Sequence, residues 1–124
     1  MSMDDNFTGI QHIGIPTNDI EATIAFYQKL GFIPVLRTVN EQANEKVAFL
    51  RLHNLTIETY ENKAAEMKTG AIDHIAINCV SIEDAFSYIN KEGLNTTSDT
   101  IHFLPFWEPV SYTHLRAHET KANL

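Results

Sequence analysis

A chain of 124 residues, 44% hydrophobic and 20% charged, has the size and composition of one ordinary globular domain. Its formal net charge of −7 argues against nucleic acid and against anionic membrane surfaces as partners. No apolar run approaches the length of a membrane span, the opening "MSMDDNF" is acidic rather than signal-like, and one cysteine (Cys79) leaves no internal disulfide, so a cytoplasmic location is expected.

The first element is a strand from His12, in which Ile13 and Ile15 alternate with small or polar residues. A helix follows. Asn18 or Asp19 is placed to cap it, and Glu21, three residues after Asn18, to close a capping box. Ile20, Ile24 and Tyr27 fall on one face, and Gly31 ends the helix at a left-handed position. Three extended segments come next, "FIPVLRTV", "EKVAFLRLH" and "LTIETYE", the first two separated by "NEQAN" and the last two by a turn at His53-Asn54. The order is therefore β-α-β-β-β, followed by a polar connector, residues 62–70.

The chain then repeats itself. At an offset of 62 residues, "HIGIPTNDIEATIAFYQKLGF" falls on "HIAINCVSIEDAFSYINKEGL", with His12/His74, Ile13/Ile75, Ile15/Ile77, Ile20/Ile82, Glu21/Glu83, Lys29/Lys91 and Gly31/Gly93 identical. Self-similarity at a fixed offset marks a duplicated module. In the second copy a strand is expected from His74, with Cys79 in its core. Ser81 then caps a helix whose buried stripe is Ile82, Ala85, Phe86 and Ile89, and Gly93 stops it. The expected class is α+β, with paired βαβββ modules over residues 7–108: module one 7–61, connector 62–70, and module two 71–108, cut short after its second strand.

Strand alternation then sorts side chains by face. His12, Gly14 and Pro16 lie opposite Ile13 and Ile15; His74, Ala76 and Asn78 lie opposite Ile75 and Ile77. In the last strand of module one, Thr56, Glu58 and Tyr60 lie opposite Leu55, Ile57 and Thr59. Two imidazoles at equivalent positions of a repeat, with a carboxylate on a related face, make a candidate divalent-metal site of His12, Glu58 and His74, because neutral imidazole and carboxylate suit first-row ions. A single histidine at a strand start is more often a structural residue, and it is the repetition that reverses the balance. Tyr60, Asn78 and His102 (in the aromatic-rich "TIHFLPFWE") are candidate substrate contacts. Glu61 is the weaker carboxylate by parity, and His53 is expected to be solvated in its turn.

These segments resemble the vicinal oxygen chelate superfamily: glyoxalase I, bleomycin-resistance proteins, methylmalonyl-CoA epimerase and extradiol dioxygenases. The resemblance covers residues 7 to about 108 and rests on "HIGIPTNDIEATIAFYQKLGF", "VAFLRLHNLTIETYE" and "DHIAINCVSIEDAFSYINKEGL". It implies a metal cleft, with His12, Glu58 and His74 on three of four ligand positions, and a homodimer. The activity implied is that of a glyoxalase-like lyase or isomerase of lactoylglutathione lyase type. A divalent ion (Ni, Co or Zn) would stabilise an enediolate of a small oxygenated substrate, and a glutamate, Glu58 here, would move the proton. The alternatives are a metal-free binding or resistance protein, and an extradiol-type dioxygenase using Fe. Glutathione-using relatives carry an arginine four residues after the first histidine. Here Pro16 holds that place, and the sequence leaves open whether Arg37 or Arg51 substitutes.

The tail breaks the pattern. "PVSYTHLRAHETKANL" has no strand alternation, and residues 110–120 resemble a translated sequencing-library adapter, so residues 109–124 are read as foreign. His114, His118 and Glu119 are accordingly not taken as a metal cluster. The fourth ligand is then missing, and weak metal binding and impaired catalysis are expected of the chain as written, with enzyme activity expected of the parent gene product.

Overall fold

In a computed structural model, residues 1–94 are described, together with the backbone of two short strands at 102–104 and 110–112. They form two compact units dividing between Ala65 and Glu66. The first unit holds a short helix α1 (Met3–Asn6), β1 (Ile13–Thr17), α2 (Ile20–Lys29), β2 (Ile33–Asn40), β3 (Glu45–Leu52) and β4 (Leu55–Glu61). The expected β-α-β-β-β order is present in full.

The four strands form one mixed sheet in the order β1-β4-β3-β2. β1 is an edge strand whose one ladder runs parallel to β4, pairing Ile13 with Ile57 and Thr17 with Glu61. β4-β3 and β3-β2 are antiparallel, and a bulge between Pro34 and Leu36 shifts the register of β2. α2 covers one face of the sheet. Ile20, Ile24 and Tyr27 from the helix meet Ala48, Leu50, Ile57 and Thr59 from the strands, all buried. Burying each large aliphatic side chain contributes about 1.5–3 kcal/mol, so this layer carries the unit's stability.

Local chemistry sets the helix ends. Asp19 Oδ1 accepts from the Ala22 amide at 3.1 Å. The Thr17 hydroxyl bonds that of Thr23 at 2.7 Å, tying the end of β1 to the helix. Glu21 does not close a capping box: it pairs instead with Arg37 of β2. The Ile20 amide is taken by Glu61 Oε2 at 2.9 Å, so the carboxylate ranked as the weaker site candidate is a helix cap supplied by a distant strand. Gly31 ends α2 with φ +98°, as its position predicts.

In the second unit, α3 (Ile82–Lys91) forms as expected. Ser81 Oγ accepts from the Asp84 amide at 3.1 Å, Ile89 is buried, and Gly93 has φ +69°. The backbones of β5 (His102–Leu104) and β6 (Val110–Tyr112) pair antiparallel. The strand expected from His74 does not form, and residues 73–79 have no regular structure. The sheet order of the first unit supplies the reason. The first strand of this motif pairs only with the fourth, and among the described residues the second copy offers no fourth strand. Ile75 and Ile77 are exposed in consequence, and Cys79, expected in a core, is exposed as well. His114, His118 and Glu119 lie outside the described residues.

Candidate metal centre

The face of the sheet opposite α2 carries the candidate residues of module one. Register places Gly14 beside Glu58 and Pro16 beside Tyr60, with Phe49 of β3 across from Glu58. His12 directly precedes β1 and shares this face. Gly14 keeps the row open: a Cβ there would lie 3.6 Å from the Tyr60 ring and 3.7 Å from Glu58 Oε1. His12 Nε2 stands 3.6 Å from Glu58 Oε1. Its ring meets Phe49 edge-on, centroids 5.4 Å apart.

Both ring nitrogens of His12 have a neighbour. Nδ1 is hydrogen-bonded to the side chain of Gln11, and Nε2 is turned toward a carboxylate. An imidazole nitrogen and a carboxylate oxygen at this separation are both types of ligand that a divalent ion takes. Two ligands of one tetrahedral ion at about 2.1 Å would sit roughly 3.4 Å apart, close to the spacing found. The side chains are 35% and 29% exposed, so as a plain ion pair they would contribute no more than about 1 kcal/mol. Stability alone gives little reason to place them here.

Tyr60 is half-buried on the same face. His74 and Asn78 belong to the second unit and are exposed, with His74 Nδ1 3.0 Å from Asp73 Oδ2. The His102 backbone lies in β5, and its side chain is outside the described residues. Within neither unit do three His, Cys, Asp or Glu side chains among the described residues gather in a way that would hold an ion. The first unit thus joins His12, Glu58 and Tyr60.

Gln11 and Phe49, both in contact with His12, were not singled out from the sequence, and Arg51 was named only as one of two candidate arginines. Gln11 carries no signal beyond adjacency. Phe49 and Arg51 follow from alternation along "KVAFLRL", where Ala48 and Leu50 take the helix side. A separate groove of about 310 Å³ lies on the other face, lined by Ile20, Glu21, Arg37, Val39 and Lys46, with the Glu21–Arg37 pair within it.

Residues 9–102 match the family model described as the Glyoxalase/Bleomycin resistance protein/Dioxygenase superfamily. Among solved structures, a glyoxalase family protein from Enterococcus faecalis is 19% identical, covering 92% of this chain and 93% of its own, with a TM-score of 0.72. The fosfomycin resistance protein FosX of Listeria monocytogenes, complexed with Mn(II) and sulfate, is 17% identical over 93% and 88%, with a TM-score of 0.69. The trypanothione-dependent glyoxalase I of Leishmania major is 16% identical over 88% and 86%, with a TM-score of 0.64. No curated protein matches the sequence. Among the described residues no helix is long and apolar enough to cross a membrane.

Proposed function

The chain belongs to the glyoxalase/bleomycin resistance protein/dioxygenase superfamily, and from that premise we propose that it is a metal-dependent lyase or isomerase of glyoxalase type acting on a small oxygenated substrate. The observation that carries the reading is the convergence of His12 Nε2 and Glu58 Oε1 at 3.6 Å, with Gln11 bonded to the other ring nitrogen and so orienting the imidazole. His12 and Glu58 would hold a divalent ion, with His74 as the third ligand if the repeat is used symmetrically. Structural relatives include FosX with Mn(II) and a glyoxalase I, in keeping with divalent-metal use. Such an ion supplies Lewis acidity toward two neighbouring substrate oxygens.

The chain's own residues do the rest. The Glu58 carboxylate accepts a proton from the carbon beside the carbonyl and returns it to the adjacent carbon. Phe49 walls the imidazole on one side, and Tyr60 supplies a phenol along the same row. Homodimerisation, Asn78 and His102 as substrate contacts, and impaired turnover in the chain as written belong to the same reading.

Titration calorimetry with Ni²⁺ or Zn²⁺ tests it. Gln11→Ala should weaken ion binding about tenfold and His12→Ala by more than that, with Glu58→Gln behaving like His12→Ala. Wild-type affinity in His12→Ala would sink the proposal. A metal-free binding protein of the same fold is the second reading, favoured by the lack of a third donor within the first unit. Metal analysis separates the cases: nickel, cobalt or zinc for the lyase, iron for a dioxygenase, none for the binder.

A further inference from the structure

We propose that the N-terminal arm of one copy of this chain, residues 3–7, docks in the groove beside α2 of a second copy, with Met3 and Phe7 against its apolar floor and Asp4 and Asp5 meeting Lys46. The groove exists because the sheet is wider than its cover. β2 is exposed at every position but Pro34, so the sheet runs out past α2 and leaves a trough of about 310 Å³ between them. Ile20 and Val47 are buried and form its floor, and Val39 extends the apolar surface outward. Its charged residues are Arg37, Lys46 and Glu21, and Glu21 takes Arg37. Among the described residues no carboxylate pairs with Lys46. That leaves a positive patch on a chain of net charge −7, which attracts a segment both acidic and apolar.

The arm is such a segment. α1 buries none of its residues. Its single turn puts Met3 and Phe7 on the same side, where they are 55% and 70% exposed. Asp4 and Asp5 lie between them. The Ser2 hydroxyl bonds to both and holds the Asp4 carboxyl below the usual carboxylate range, so it is ionised at neutral pH. Gly9, at φ +128° with open space around it, turns the arm into β1. The arm does not reach the groove of its own chain. It enters at the start of β1, the sheet edge opposite β2. Register puts Pro16, Tyr60, Val47 and Thr38 in one row. The groove therefore lies four residues beyond His12 and three strands across, roughly 20 Å away in the plane of the sheet. The five residues back to Phe7 span roughly 18 Å when fully extended, before any detour around the helix. A second copy has no such limit, and a two-fold axis lets each arm fill the other's groove. Two seated arms bury on the order of 1,000 Å², the lower limit for a specific interface, so a weak and reversible dimer is expected.

Sedimentation equilibrium of the full chain near neutral pH and at low salt tests it, with a concentration-dependent monomer–dimer equilibrium as the expected result. Lys46→Glu should weaken the dimer about tenfold, the loss of one charge-assisted contact, and Asp4→Lys with Asp5→Lys about as much. The three changes together restore opposite charges and should bring affinity back to within about threefold of wild type. Phe7→Ser should weaken association about tenfold or more at an unmoved urea midpoint, because the exposed ring supports no packing in its own unit. Carbodiimide coupling in a mixture of isotopically light and heavy chains should join Lys46 to Asp4 or Asp5 in mixed-isotope peptides. A chain that stays monomeric at every concentration, a dimer indifferent to Phe7→Ser and Lys46→Glu, a triple variant as weak as the charge reversals it combines, or coupling confined to a single chain each overturns the proposal. The metal reading fails separately: Zn²⁺ affinity unmoved by His12→Ala defeats it while leaving an arm-dependent dimer standing.

Discussion

Gln11 and Glu58 approach the two nitrogens of His12, and that arrangement makes a lone imidazole into a ligand candidate: one nitrogen is hydrogen-bonded and the other faces a carboxylate. His12 and Glu58 were legible because strand alternation is strict and each sits among residues of the wrong polarity for a covered face. Arg37 and Arg51 were not separable in advance, since the bulge at Pro34/Leu36 resets the parity of β2, and bulges leave little trace in composition. On the covered face, Thr59 is fully buried, and its hydroxyl has no hydrogen-bond partner among the described residues. Valine has nearly the same shape and nothing to satisfy. Thr59→Val should raise unfolding stability by about 1 kcal/mol, read as a higher urea midpoint at unchanged slope, and an unchanged or lower midpoint would mean the hydroxyl is satisfied.

At the level of elements, α2 shows how a helix signal can be right in place and wrong in partner. Its boundaries, buried stripe and terminal glycine were all legible, since each depends on residues within a few positions. The second carboxylate at its N-terminus was not, because Glu61 lies 41 residues away in sequence. Glu61→Ala should cost about 1 kcal/mol through the lost cap and its favourable interaction with the helix dipole, while leaving metal affinity within twofold of wild type. Calorimetry and chemical denaturation on the same variant separate the two carboxylates, since Glu58→Gln should do the reverse. The two copies of the repeat carry the lesson further. His12 leads into a paired strand and His74 into an unladdered segment, although the local sequences match. A strand needs a neighbour, and β1 finds its own in β4, more than 40 residues along the chain.

For the whole molecule, charge and exposed apolar surface act against each other. The pI is about 5.2, and Ile72, Ile75, Ile77 and Val80 stand exposed along one segment. At neutral pH the net negative charge opposes association through that segment; near pH 5 the repulsion vanishes. Light scattering against pH should therefore show self-association rising between pH 7 and pH 5, with replacement of Ile75 and Ile77 by Ser suppressing it; a flat profile would remove the segment from consideration. The sequence by itself determined the family, the element order of the first unit, the terminal glycines of the two long helices and the faces of His12, Glu58 and Tyr60, because periodicity and alternation are local and survive in any context. Only the tertiary structure decided that Glu61 caps a helix, that Arg51 rather than Arg37 shares the histidine's face, and that the second histidine strand stands without a ladder. Each of those depends on which distant segment lies alongside, and strand pairing, unlike a turn of helix, is a property of two stretches of chain at once.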